Sequence, residues 1–201
     1  MTSERPRLNR DAVLRAALAI IDERGLDACT MRAVAAELGV EAMSLYWHVP
    51  NKEALLDGVI ELMIAEMDVA YAGDGDWVNA LRTSGRTFRR VVLRHRNALP
   101  LLASRPLPAY AAASRMTEEA IRALEAAGFD RRTAIRAARM LSRYVMGFTF
   151  AERAPGEAPP PSDSSALDEL LRSVAGDSQE ELFEFGLETL LRGLETWRDP
   201  A

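Results

Sequence analysis

The sequence is short of the residues on which disulfides and many metal sites depend. It contains one cysteine, Cys29, and two histidines, His48 and His95, among 201 residues. A single cysteine excludes an internal disulfide and a cysteine-based metal cage, and we expect Cys29 to be a small buried thiol. This scarcity of ligands predicts a protein without a bound metal or cofactor.

Long apolar segments are missing as well. No uninterrupted apolar run approaches the roughly 20 residues that span a bilayer. The charged N-terminal stretch MTSERPRLNRD is not followed by the apolar segment of a secretory signal. We therefore expect a cytoplasmic protein that does not insert into a membrane.

The chain also lacks an excess of positive charge. It carries 30 acidic and 25 basic residues, for a net charge of −5, and its only lysine is Lys52. A protein that coats nucleic acid nonspecifically would be basic overall. If this chain binds DNA, its specificity must therefore depend on a few well-placed residues.

Helical patterning is what the sequence does have. Apolar residues recur at helical spacing almost throughout, and strand-like alternation is nearly absent, which predicts an all-α fold. Asn9, Thr30 and Asn51 are of the types that cap helix N-termini, and Gly25 and Gly39 are typical of helix C-termini. These signals predict two helices before Gly39 and a long fourth helix from Asn51, with a short third helix from about Ala42 to His48 between them.

A second helical region follows the turn cluster GDGD, which ends at Asp76. We expect helices from Asp76 to about Arg96, one ending near Gly128, one from Asp130 to about Arg153, and a last one begun by a capping box at Ser178–Glu181. The proline-rich stretch Ala154–Ser165 is predicted to be a linker. The expected division is a head with its linking helix at 1–70 and a helical core at 71–201.

The segment from Thr30 to Tyr46 is typical of a helix-turn-helix. Gly39 lies where the turn needs a residue that tolerates positive φ, and Ala35 is small where two helices must cross closely. Val40 and Leu45 would lock the second helix of the motif onto the first. The residues left outward are Ala42, Met43, Ser44, Tyr46, Trp47 and His48.

Binding to DNA would explain why these residues face outward. Ser44, Tyr46 and His48 can donate to phosphate oxygens or base edges, and Met43 or Ala42 can contact a thymine methyl group. The alternative is a solvated turn in which Tyr46 and Trp47 are half-buried in the core.

Two cations near helix starts support the same hypothesis. Lys52 lies at the start of the fourth helix, where the helix dipole disfavours positive charge. A phosphate would remove that conflict, because helix amides and a lysine then bind it together. Arg32 has a similar place after Thr30, and the alternative for both cations is a solvent-facing side chain. Thr30 and Trp47 are also among the predicted DNA-binding residues.

The run LYWHVPNKEALLD, from Leu45 to Asp57, resembles the end of the DNA-binding domain of TetR-family repressors, and most closely the tetracycline repressor branch. The likeness is continuous from Leu8 to about Met63, and looser matches cover most of the remaining chain. It implies a three-helix head, a linking helix and a ligand-binding core that forms a homodimer through its last two long helices. It also implies that Tyr46 and Lys52 hold phosphates while Arg32, Ala42, Met43, Ser44 and His48 face the groove.

The resemblance further predicts an apolar ligand pocket in the core. Residues on apolar faces of the fourth, fifth, seventh and eighth helices are its candidates, although core packing is the alternative for each. They are Met63, Met67, Phe88, Val92, Tyr110, Met116, Met140, Tyr144 and Phe148. Asp68 stands where the tetracycline branch has a drug-contacting histidine, so we do not expect a magnesium–tetracycline site.

An arginine stripe lies along the predicted eighth helix. A solvated face is the default interpretation of this stripe, and pairing with glutamates of the last helix across the dimer is the alternative. The arginines are Arg132, Arg136, Arg139 and Arg143, and the candidate glutamates are Glu180, Glu181, Glu184 and Glu188.

The function predicted is that of a DNA-binding repressor released from double-stranded operator DNA by an unidentified small molecule. The sequence has no phosphate-cradling glycine loop, no Glu-x-x-His helix motif and no nucleophile elbow, so we do not expect an enzyme. The alternatives are a ligand-insensitive regulator or activator, and a helical interaction protein that does not bind DNA.

Overall fold

A computed structural model describes residues 8–67, 76–105, 110–152 and 177–198. All regular elements in these ranges are helices, which confirms the predicted all-α fold. None of the helices described is long and apolar enough to cross a membrane. The predicted linker at 154–165 and the glycines of the GDGD turn lie outside the described residues.

The first part of the chain forms four α-helices and one 3₁₀ turn. They are α1 (Arg10–Arg24), a 3₁₀ turn (Leu26–Ala28), α2 (Met31–Leu38), α3 (Ala42–Leu45) and α4 (Lys52–Glu66). The three predicted N-caps are confirmed, because Asn9, Thr30 and Asn51 each accept a hydrogen bond from the amide three residues later. Such caps satisfy backbone donors that the helix itself leaves open.

The head is held together by a continuous apolar core. Val13 and Ile21 of α1, Val34 of α2 and Leu45 of α3 are fully buried. The α4 helix crosses α1 closely at Gly58, where a Cβ atom would lie 2.9 Å from Cδ1 of Leu14. The four-residue helix α3 packs against α2 and contributes Leu45 to this core.

The remaining helices follow the predicted order with shifted ends. They are α5 (Trp77–Arg94), a 3₁₀ turn (Arg96–Ala98), α6 (Leu99–Ala103), α7 (Ala111–Ala126), α8 (Arg131–Ala151) and α9 (Gln179–Glu195). The predicted capping box of α9 is confirmed, with Ser178 and Glu181 bonding each other's backbone amides. The α5 helix ends at Arg94 rather than near Arg96, because His95 begins the tighter 3₁₀ turn.

The chain forms two compact units. The first comprises Met1–Ala70 and Thr87–Glu119, and the second comprises Tyr71–Arg86 and Ala120–Ala201. In the second, α8 and α9 pack through Val145, Phe183 and Leu187, all buried. Trp77 packs edge-on against Phe129 in the same unit, with ring centroids 5.0 Å apart.

Candidate nucleic-acid interface

The turn between α2 and α3 has the geometry that its glycine predicts. Gly39 adopts φ 65° and ψ 35°, the left-handed conformation that side chains with a Cβ disfavour. Its amide donates to the Ala36 carbonyl at 3.2 Å, and the Val40 amide donates to the Ala35 carbonyl at 3.0 Å. These bonds end α2 and set the direction in which α3 begins.

The α3 helix is shorter than predicted. It ends at Leu45, and the following residues to His48 form turns. The amides of Ser44, Tyr46 and His48 each donate to the carbonyl three residues earlier, at 2.9–3.3 Å, which is tighter than the four-residue spacing of a regular α-helix. Pro50 restricts its neighbour Val49, but the regular helix already ends at Leu45, before the predicted end at His48. Leu45 and Val49 remain buried and anchor both ends of this segment.

The outward residues of this segment form an exposed, partly apolar surface, which we call the reading surface (Ala42, Met43, Ser44, Tyr46, Trp47 and His48). Met43 is 72% exposed, Tyr46 43% and Trp47 90%. Ala42, Ser44 and His48 are half-buried. The alternative in which Trp47 is half-buried in the core is therefore wrong. An exposed cluster of large apolar side chains is typical of a surface that binds a partner.

Two cations flank the segment of the reading surface in the sequence, and a helix cap precedes it. Arg32 in the first turn of α2 and Lys52 at the first position of α4 are both exposed. Neither forms an ion pair with any residue that the structure describes. Thr30 uses its hydroxyl oxygen to accept from the Ala33 amide at 3.1 Å, so its structural role is that of a cap.

The predicted pocket residues are divided between the two units. In the first, Met63, Met67 and Val92 are buried, whereas Phe88, Tyr110 and Met116 are half-buried. Tyr110 also makes a polar contact, because its hydroxyl donates a hydrogen bond to Asp57 at 2.9 Å. Hydrogen bonding to Asp57 and burial both raise the Tyr110 pKa, with burial the larger cause.

In the second unit, two of the pocket candidates join an aromatic cluster. The rings of Tyr144 and Phe148 pack against Phe183, with centroids 5.8 Å and 5.4 Å away. The placement of Met140 on an apolar inner face is wrong, since Met140 is 39% exposed. The inner face of α8 is formed by small and apolar residues at other positions, so Met140 points outward. Its inward-facing neighbours are Ala134, Ala137, Ala138, Leu141 and Val145.

The arginine stripe of α8 is solvated in this structure. Arg132, Arg136, Arg139 and Arg143 are exposed, and the last three border a surface depression of about 330 Å³ together with Met140. Two of the glutamates proposed as their partners are engaged within the chain. Arg86 donates to Glu184 at 2.7 Å, and Arg82 donates to Glu188 at 3.0 Å. The Arg82 hydrogen bond lowers the pKa of Glu188.

Two polar clusters were missed by the sequence reasoning. Arg105 donates to both Glu53 and Asp57 on α4. His95, which is 5% exposed, lies between two carboxylates. Its Nδ1 is 2.8 Å from Asp22 Oδ2 and its Nε2 is 3.3 Å from Glu66 Oε2. The partners of Arg105 and His95 are 29 to 73 positions away in sequence, so no local pattern could have indicated them.

A metal site has no candidate ligands in the described residues. No group of three or more histidine, cysteine, aspartate or glutamate side chains there is arranged to hold an ion. Asp68, for which the resemblance predicted the place of a drug-contacting histidine, lies outside the described residues.

Comparison with known families places both parts of the chain. Residues 13–59 match the family described as bacterial regulatory proteins, tetR family. Residues 71–198 match the tetracyclin repressor-like C-terminal domain. The chain is 34% identical to the tetracycline repressor protein class D of Escherichia coli over 203 residues, which cover 94% of the chain and 90% of the relative.

Solved structures agree with these matches. A single-residue variant of TetR from Acinetobacter baumannii AYE in complex with minocycline is similar with a TM-score of 0.78 and 33% identity, covering 97% of each chain. ActR of Streptomyces coelicolor with actinorhodin gives 0.76 and 28%, covering 94% of this chain and 98% of ActR. BioQ with its double-stranded DNA operator gives 0.65 and 31%, covering 94% and 98%.

These matches confirm the predicted resemblance, and the relatives are transcription regulators rather than enzymes. The chain belongs to the TetR family of bacterial transcriptional regulators, near its tetracycline repressor branch.

Proposed function

We propose that this protein is a repressor that binds a palindromic operator through its reading surface and is released by a small organic effector. The observation that carries the proposal is the exposure of Met43 and Trp47 directly after the left-handed turn at Gly39. An isolated protein exposes such side chains at a cost, and a DNA groove would cover them. Membership of the TetR family, in which BioQ has been solved with its operator, supports this assignment.

The contacts divide into two kinds. Tyr46 and Lys52 would hold phosphates, which fix the protein on the duplex without reading sequence. Arg32, Ser44 and His48 would donate to base edges, and Ala42 and Met43 would contact thymine methyl groups. Because Ala42 and Met43 are apolar, we expect the operator to present more thymine methyl groups to them than it would to a polar recognition helix.

Operator binding would be performed by a homodimer in the cytoplasm. Two recognition segments must enter successive major grooves, about 34–36 Å apart along the duplex. In our assignment residues 1–70 form the DNA-binding head with its linking helix, and residues 71–201 form the ligand-binding and dimerisation core. The dimer would form through α8 and α9, whose outer faces carry the exposed side chains Ile135, Met140 and Phe185.

The effector is proposed to be an apolar, ring-containing molecule bound without magnesium. In the first unit the candidate pocket residues include the buried Met63 and Met67 and the half-buried Phe88, and methionine adapts to irregular ligands. The relatives solved with minocycline and with actinorhodin support a small organic ligand as the chemical class. The effector would act by binding the DNA-free state more tightly than the DNA-bound state, with a difference of a few kcal/mol.

Operator binding is tested by selecting duplexes from a random pool with the full-length protein and then measuring gel retardation. The double variant Tyr46→Ala/Lys52→Ala should lose retardation of the selected duplex while sedimenting as the same dimer. Retardation that survives the double substitution would contradict the docking proposed.

Release is tested with a panel of organic compounds that includes minocycline and tetracycline, each with and without Mg²⁺. Binding is detected by thermal shift, and positive compounds are then tested for operator release. A compound that stabilises the protein and releases the duplex identifies a sensor. Operator binding that no compound alters would favour the alternative, a ligand-insensitive regulator.

A further inference from the structure

His95 joins the ends of two head helices. It follows α5 and is almost completely buried. Its ring contacts Asp22 near the end of α1 through Nδ1 and Glu66, the last residue of α4, through Nε2. We call this group of three side chains the His95 bridge. It links both head helices, at their C-terminal ends, to the segment that begins the Arg96–Ala98 turn.

The chemistry of the bridge requires a particular protonation state. Carboxylate oxygens only accept hydrogen bonds, so each ring nitrogen satisfies its carboxylate only if it carries a hydrogen. An imidazole with hydrogens on both nitrogens is a cation. The neutral ring would direct a lone pair at one of the two carboxylates and lose that contact.

Neighbouring groups contact the Glu66 carboxylate and the backbone of Asp22. Arg94 of α5 donates to the same Glu66 oxygen at 3.1 Å, and Arg15 of α1 interacts electrostatically with Glu66. From the 3₁₀ turn, the Asn97 side chain donates to the Asp22 backbone carbonyl at 2.8 Å. Arg96 is the remaining charged residue of that turn, and α6 contributes no titratable side chain. Oδ1 of Asp22 is buried without a hydrogen-bond partner in the described part of the chain, so His95 provides the hydrogen bond that the Asp22 carboxylate receives there.

The α4 helix connects the His95 bridge to the proposed DNA contacts. That helix begins at Lys52, which we assign to a phosphate, and ends at Glu66 in the bridge. We propose that doubly protonated His95 is a positioning residue that fixes α1 and α4 for operator binding, so that operator affinity falls as the pH rises. This inference rests on the proposed function, because it concerns affinity for the same operator.

The test measures operator affinity of the full-length protein at pH 6.5 and pH 8.5, with the duplex selected from the random pool. Between pH 6.5 and pH 8.5, the operator affinity of wild type should fall by a factor about fivefold larger than that of His95→Gln. At pH 6.5 the His95→Gln variant should already bind the operator more weakly than wild type. Glu66→Gln is the matched comparison, because an amide nitrogen in place of Oε2 can donate to an unprotonated Nε2, although it gives up the Arg94 hydrogen bond to the same atom. Its affinity should therefore vary little between the two pH values. His48 is unchanged in all three proteins, so its contribution to operator binding is common to the comparison.

A second measurement examines the bridge without DNA. The chain has only two histidines, so ¹⁵N spectra of the imidazole rings are assigned by the signals that His95→Gln removes. At pH 6.5 both ring nitrogens of His95 should carry hydrogen, and the spectrum of a neutral tautomer would overturn the inference. An equal pH profile in wild type and Glu66→Gln would also overturn it. Absence of operator binding at every pH, with the bridge intact in the spectra, would instead contradict the proposed function.

Discussion

Gly186 of α9 lies directly against the phenol of Tyr144 on α8, so that a Cβ atom on Gly186 would be 2.6 Å from the Tyr144 Cζ atom and closer still to the hydroxyl oxygen. Two contacts hold the phenol in this position. Its hydroxyl donates to the Phe183 carbonyl at 2.7 Å, and its ring stacks on Phe183. The two helices can approach this closely only because position 186 has no side chain.

Gly186→Ala should therefore destabilise the protein by about 1–3 kcal/mol, the usual cost of overpacking a filled site. Gly193→Ala is the matched control on the same helix, because nothing lies within 4 Å of its Cβ position. That change should stabilise the helix by about 0.5–1 kcal/mol, since alanine restricts the unfolded chain. Denaturant unfolding of the full chain measures both, and equal effects would contradict the close packing.

The pair Arg82–Glu188 predicts a pH dependence of stability. The Arg82 hydrogen bond lowers the pKa of Glu188 in the folded state. A carboxyl group with a lowered pKa stabilises the fold above its unfolded pKa of about 4.3, and that stabilisation is lost as the pH falls through the folded value. Glu188→Gln should therefore cost up to about 1 kcal/mol at pH 7, and the difference from wild type should vanish in strong acid.

A matched control for Glu188 is Glu195→Gln. Glu195 pairs with Arg198 at 3.5 Å, and both side chains are nearly half exposed. We expect little change in the free energy of unfolding at either pH, because exposed pairs contribute little. Thermal unfolding scans from pH 3 to pH 7 compare the two variants. If the two variants depend on pH in the same way, Arg82 is not the cause.

The sequence predicted those features of the fold that depend on neighbours in the chain. Asn9, Thr30, Asn51 and the Ser178–Glu181 box were found as caps because each accepts a bond from a backbone amide three residues away. Gly39 was placed correctly for the same reason, since its left-handed conformation is a local requirement of the turn.

What the sequence did not predict depends on distant contacts. His95 is buried by Asp22 and Glu66, which lie 73 and 29 residues away. Met140 shares the spacing of a buried helix face, but the packing of α8 turns that position outward. Trp47 was left open between core and surface because a tryptophan fits either place by composition alone. Only the fold decides which side of such a residue is covered.

The turn at Gly39 predicts a conformational cost that does not depend on packing. Nothing lies within 4 Å of the Gly39 Cβ position, so a side chain there meets only backbone strain. Gly39→Ala should destabilise the head by about 1–2 kcal/mol, the cost of a left-handed residue with a Cβ. Gly39→Asn should cost less, since asparagine tolerates this region. Thermal unfolding distinguishes them, and equal costs for the two variants would indicate a steric cause.

Lys52, the only lysine of the chain, predicts a specific change in the salt dependence of DNA binding. A phosphate contact releases counterions, so removing one from each protomer of a dimer should reduce the slope of log affinity against log salt by about 2. Lys52→Gln should weaken binding to selected and unrelated duplexes alike, because phosphates carry no sequence information. Arg115→Gln, the same loss of charge at an exposed position of α7, should leave the slope unchanged. Equal slopes for both variants would mean that Lys52 acts only through the net charge.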